Sequence, residues 1–157
     1  RAALANLLGI DLDADDGDFP PPEPATTHAT RKRDTRFAFE VLPAYDFTCA
    51  LTGYRMVAED GTTILDAAHI RSFKHGGPCL ARNGLALSKT AHWLFDRGFW
   101  SLDDDLHILV KQTTFHESGD AALLLKPKDG NRIRVPNLAT FHPDTQHLAW
   151  HRKQHGF

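Results

Sequence analysis

Between Asp66 and Gly98 the chain carries residue types suited to hydrolysis at a phosphate. The string runs Asp66-Ala67-Ala68-His69-Ile70, then a loop, then Arg82-Asn83-Gly84-Leu85-Ala86-Leu87, then His92-Trp93-Leu94-Phe95-Asp96-Arg97-Gly98. His92 and Asp96 are four apart, so on a helix they share one face and can grip one metal ion. Asp66 and His69 are three apart. On a regular strand they face opposite ways and serve one site only if the strand bends or ends between them. An imidazole beside a phosphate is a suitable general base for water, and a divalent ion stabilises the charge that builds on the phosphoryl group and its leaving oxygen. An asparagine in a loop between strand and helix has another use. Its amide can hydrogen-bond backbone on both sides and hold the loop in shape.

The elements that must position these groups are legible in outline. Asp34 caps a helix in which Ala38, Val41, Leu42 and Tyr45 form one apolar face, with Pro43 near its end. Arg55 to Val57 and Thr63 to Ala67 read as a hairpin across Asp60-Gly61. Arg71 to Arg82 reads as a loop, Leu85 to Leu87 as a short strand, and Lys89 to Arg97 as a helix capped by Ser88 and stopped by Gly98. A second hairpin joins Trp100–Leu102 to Leu106–Lys111, Arg132 to Val135 is a further strand, and Asp144 opens a final helix. Phe95, Phe99, Trp93 and Trp100 are expected in the core, as is Cys49 as a small buried hydrophobe.

The 157 residues suit one ordinary domain, and a hydrophobic fraction of 41% can supply its core. No stretch approaches the roughly 18 apolar residues of a membrane span, and no secretory signal opens the chain. Two cysteines, Cys49 and Cys79, build no disulfide framework and suit the reducing cytoplasm. The net charge of −2 speaks against a nucleic-acid partner only if it is evenly spread. It is not. Residues 1–30 hold one base against six acids, while residues 31–157 hold 17 bases against 14 acids. The acidic stretch, with Pro20, Pro21, Pro22 and Pro24, is expected to be a linker to an upstream domain, and ahead of it Ala2 to Leu8 reads like the last turns of a helix closed by Gly9.

The string between Asp66 and Gly98, with Cys49-Ala50-Leu51-Thr52-Gly53 ahead of it, resembles the HNH endonucleases. Within them it is similar to the branch reading Cys-x-x-Thr-Gly, Asp/Glu-Ala-Ala-His-Ile, Asn-Gly-Leu-x-Leu and His-x-x-Phe-Asp-x-Gly. The likeness covers Arg36 to Lys111, and Leu148 to Arg152 is similar to that branch's ending. It implies an α+β fold: a ββα-metal core at about 63–98, with flanking helices and an additional β-hairpin, in a nuclease domain of residues 31–157. It implies hydrolysis of double-stranded DNA with one divalent ion, Mg²⁺ or Mn²⁺. By the same likeness His69 is the general base, Asn83 orients the loop and His92 is a metal ligand. Asp96 stands where some relatives place another. Many relatives put a ligand immediately before the base, where this chain has Ala68, so Asp66 is expected to replace it. A structural zinc held by four cysteines is excluded, because Thr52 stands at the second cysteine place and no second pair exists.

Arg71, Lys74 and Arg82 flank this site as candidate phosphate contacts, with a solvated loop as the plain alternative. A neutral His69 implies activity falling below roughly pH 6–7, and products with 5′-phosphate and 3′-hydroxyl ends. One site cuts one strand, so a double-strand break calls for a homodimer or two events. The favoured setting is the C-terminal nuclease of a restriction enzyme, possibly modification-dependent. The alternatives are a nicking or non-specific phage or toxin nuclease and, from another class, a non-catalytic DNA-binding or assembly module.

Overall fold

The run Leu85-Ala86-Leu87 is wholly buried, so both faces of its strand must be covered. A computed structural model, which describes residues 28–157 with side chains of the first helix from Arg36 onward, shows how. Strand β1 (Leu65–His69) pairs antiparallel with β2 (Gly84–Ser88) in the register Leu65↔Ser88, Ala67↔Ala86 and His69↔Gly84. Helix α1 (His28–Ala44) covers one face and α2 (Lys89–Asp96), which follows β2 without a gap, lies along the other. The acidic linker and the Ala2–Leu8 helix expected from the sequence lie outside the described residues.

Gly84 sets how closely α1 approaches. A Cβ there would stand 2.4 Å from Val41 Cγ2 and 2.9 Å from Phe37 Cζ. Phe37, Val41 and Leu42 are the buried face of α1, and Tyr45, in the turn just past its end, is buried with them. The helix starts at His28, so Asp34 is not its cap but lies inside it. The preceding Thr30-Arg31-Lys32-Arg33 contains no glycine or proline to stop the helix running back. Pro43 is its penultimate residue, and the chain then turns through Asp46 and Phe47, both at φ 49°.

Strand β1 pairs with β2 and not with residues 55–57. The expected hairpin is reduced to one bridge, Val57↔Thr63, while Arg55 bridges back to Thr48. Residues 57–62 are exposed and have little apolar surface to bury, whereas β2 offers three fully buried side chains. Helix α2 begins where expected, with the Ala91 N–H donating to Ser88 Oγ at 3.4 Å. It ends at Asp96, ahead of Gly98 at φ 67°.

The second hairpin is β3 (Trp100–Leu102) against β4 (Ile108–Val110). The strand expected at Arg132–Val135 is a single bridge, His107↔Arg132, because the Arg134 N–H donates to Ala50 O instead of continuing along β4. Helix α3 (Thr145–His155) is capped by Asp144, whose carboxylate accepts from the Gln146 N–H at 2.9 Å. The architecture is α+β, with one continuous core from α1 through both hairpins to Leu148 of α3. Among the described residues no helix is long and apolar enough to cross a membrane.

Candidate functional site

The 70–83 loop joining β1 to β2 is held by Asn83, which is 0% exposed. Its Oδ1 accepts from the Arg71 N–H, and its Nδ2 donates to Arg71 O and Pro78 O, all at 2.9 Å. The Ile70 N–H donates to the carbonyl of the same residue. One side chain therefore ties both ends of the loop together. Gly77 makes this possible: a Cβ on it would lie 1.7 Å from Arg71 O and 2.8 Å from Asn83 Nδ2. The double glycine marks a loop in the sequence, but nothing there indicates that Gly77 is packed against the asparagine.

His69 ends β1 on the face toward α1. Its ring stacks on Phe37 at 3.8 Å and 14° between planes, and Nε2 lies 3.6 Å from Cys79 Sγ. Phe37 fixes the plane of the imidazole and the Cys79 contact fixes its rotation within that plane. Neither neighbour is visible as a partner in the sequence, because each comes from a separate element.

Asp66 projects from the opposite face of β1, as alternation along a regular strand requires. It meets α2. Asp66 Oδ2 is 3.1 Å from His92 Nδ1, and Oδ1 accepts from Lys89 Nζ. On the far side of the ring, His92 Nε2 is 3.4 Å from Asp96 Oδ2. Partial burial pushes the Asp66 carboxyl up, but the hydrogen bonds and charges of Lys89 and His92 outweigh it and hold it below its ordinary value. The structure thus brings Asp66, His92 and Asp96 into one chain of contacts and leaves His69 across the strand.

The chemistry of this donor set fits a divalent ion, with one restriction. Both His92 nitrogens face carboxylate oxygens, Nδ1 at 3.1 Å from Asp66 and Nε2 at 3.4 Å from Asp96, and imidazole nitrogen with carboxylate oxygen is a donor combination that suits a divalent cation. A separation of 3.1 Å matches the edge between adjacent ligands of a six-coordinate ion, about 3 Å for Mg²⁺. Asp96 does not share that position, since it lies at the other ring nitrogen. Among the described residues no group of three His, Cys, Asp or Glu side chains is placed to hold one ion. The fit is to two protein donors, with the remaining positions left for substrate oxygens and water, a common arrangement for Mg²⁺.

Arg71, Lys74 and Arg82 all belong to the 70–83 loop. Arg71 Nε donates to His75 O, and its guanidinium stands 5.8 Å over the Trp150 ring. Lys74 is exposed. Arg82 pairs with Asp144 at 3.5 Å, which offsets part of its charge. Trp93, expected in the core, is 53% exposed on α2 with the Arg97 guanidinium over it, whereas Phe95 and Trp100 are fully buried. Helix periodicity explains the difference: Ala91 and Phe95 face the core, and Trp93 lies between them on the outer side.

Residues 49–103 match the family model described as HNH endonuclease. That span contains β1, the Asn83 loop, β2, α2 and β3, while α1 and α3 lie outside it. A comparison with curated proteins finds no match. Among solved structures the chain is similar to a modification dependent TagI restriction endonuclease, at 26% identity and a TM-score of 0.57. The likeness covers 73% of this chain and 35% of that one, so the chain spans about a third of its neighbour's length.

Proposed function

We propose, from the premise that residues 49–103 are an HNH endonuclease segment on an α+β fold shared with a restriction endonuclease, that this chain is a metal-dependent DNA endonuclease domain. The observation that carries the reading is the Asp66–His92 contact, set between β1 and α2 in the matched segment. Asp66 Oδ2 and His92 Nδ1 would hold one divalent ion, Mg²⁺ or Mn²⁺. Bound there, such an ion supplies positive charge to the scissile phosphate and the departing 3′ oxygen. Asp96 would be a positioning residue: its carboxylate lies 3.4 Å from Nε2, on the side of the His92 ring away from Asp66, and leaves Nδ1 as the atom facing the ion.

His69 accepts the proton of the attacking water in its neutral form. In-line attack breaks the P–O3′ bond and leaves a 5′-phosphate and a 3′-hydroxyl. His69 and Asp66 leave β1 on opposite sides, so the scissile strand must cross the end of that strand for both to act on one phosphate. Asn83 would act by fixing the shape of the loop beside that end through its bonds to Arg71 and Pro78, and Arg71 and Lys74 would contact neighbouring phosphates from the loop itself, with Arg82 a weaker third.

The structural neighbour supports a reading of the wider setting. We place this chain as the nuclease part of a restriction enzyme, modification-dependent like that neighbour, with DNA read by a domain tethered through residues 1–30 and double-strand breaks made by a homodimer. Plasmid cleavage with Mg²⁺, Mn²⁺ or EDTA, comparing wild type with His69→Ala and His92→Ala, tests the reading. Metal-dependent cleavage lost in both variants is expected. Equal cleavage by His69→Ala would remove the base, nicked circles without linear product would identify a nickase, and binding without cleavage under every metal would leave an assembly module.

A further inference from the structure

Lys89 is the first residue of α2 and stands directly on the candidate metal site. Its ammonium bonds Asp66 Oδ1 while the other carboxylate oxygen faces His92. The two partners differ in freedom: the Lys89 side chain is 70% exposed and that of Asp66 is 28% exposed. The lysine is thus a long, solvated arm reaching back to a carboxylate fixed in the strand.

We infer that Lys89 is the internal counter-ion of the Asp66–His92 site, occupying Asp66 while no divalent ion is bound and exchanging onto a substrate phosphate oxygen when one is. The inference rests on Asp66 and His92 being the metal donors. An ammonium has three donors and no lone pair, so it cannot become a ligand alongside Asp66. It can only compete for the carboxylate, and a bound dication repels it. Released, the arm has a use within reach, because a phosphate oxygen accepts a lysine as a point charge. Lys89 therefore lowers affinity for free metal and adds to affinity for metal together with DNA. That order of events keeps the site charge-balanced before DNA arrives.

The test substitutes Lys89→Met, which keeps the stem, and Lys89→Arg, which keeps the charge. Mn²⁺ binding to the full chain without DNA is measured by the electron paramagnetic resonance signal of the free ion. Lys89→Met is expected to bind about fivefold more tightly than wild type, the upper range for releasing an exposed ion pair. Lys89→Arg is expected to bind as wild type, and added salt should narrow the gap. At saturating Mn²⁺ the single-turnover cleavage rate of Lys89→Met should fall about fivefold or more.

Equal or weaker Mn²⁺ binding by Lys89→Met overturns the counter-ion role. An unchanged rate at saturating metal overturns the transfer onto phosphate. Asp66→Ala in the same binding assay separates the two levels: if it binds Mn²⁺ as wild type does, the metal site itself is misassigned and Lys89 falls with it. Lys89 is exposed, so thermal unfolding of each variant near the wild-type midpoint confirms that the readouts report charge.

Discussion

In the proposed function His69 and His92 are the same side chain put to different work by what surrounds them. His92 lies between two carboxylates on one face of the ββα unit, which suits a ligand. His69 is sandwiched against Phe37 with a thiol at Nε2, which suits a ring whose orientation matters more than its charge. Their substitutions should therefore fail differently. His69→Ala is expected to cut cleavage by roughly 100-fold or more while leaving Mn²⁺ and DNA binding near wild type. His92→Ala is expected to lose Mn²⁺ binding as well, and titration of both variants with Mn²⁺ distinguishes the two. Asn83 behaves as a third case. Asn83→Ala strips the three bonds of a buried side chain and should cost about 3 kcal/mol in chemical denaturation, with activity lost alongside. At this scale the sequence was informative because the motif fixes residue types. Gly77, Phe37 and Cys79 escaped it, since their importance lies in contacts made across elements.

Elements were legible where they are punctuated locally. Ser88 and Gly98 bracket α2, Asp144 opens α3, and the Asp103–Asp105 turn joins β3 to β4. The partner of β1 was not legible, because two candidate strands competed and the choice depends on buried area on the far side of a 14-residue loop. The docking of α3 was not legible either, and it has a thermodynamic consequence. His151, 2% exposed, stacks on Phe95 of α2 at 3.8 Å, with Nδ1 2.9 Å from Ser101 Oγ and Nε2 3.2 Å from Phe95 O. Burial and the nearby His155, Arg152 and Lys111 push its pKa down to about 3. Its folded value is below the unfolded one, so the unfolded chain takes up the proton first. Stability is full above about pH 6.5 and falls as pH drops toward 3. Urea denaturation should show about 2 kcal/mol less stability at pH 5 than at pH 7.5 from this residue. His147 and His155 are shifted in the same direction and add to the slope. His151→Gln should flatten the dependence while lowering stability at neutral pH, and an unchanged slope would show that His151 is not the group responsible.

At the scale of the whole molecule the question for the proposed function is how a chain with net charge −2 would hold DNA. The excess acid lies in residues 1–30, and the rest of the chain is mildly basic. Binding should therefore be weak, salt-sensitive and concentrated on few cations. In the proposed reading the 70–83 loop is the place, since it adjoins the candidate site and carries Arg71, Lys74 and Arg82. These three are not equal. Lys74 is exposed, Arg71 is anchored by His75 O with its guanidinium over Trp150, and Arg82 is already paired with Asp144. Each phosphate contact contributes about 0.9 to the slope of log affinity against log salt on duplex DNA. Replacing all three by alanine should lower that slope by about 2 rather than the full value for three contacts, because Arg82 must leave Asp144 before it can bind phosphate. Fluorescence anisotropy of a labelled duplex in EDTA, across a salt series, measures this without cleavage. Arg82→Ala alone should move the slope least. If it moves the slope as much as Lys74→Ala does, the Asp144 pair breaks on binding at no cost, and DNA must lie nearer the start of α3 than the loop alone requires.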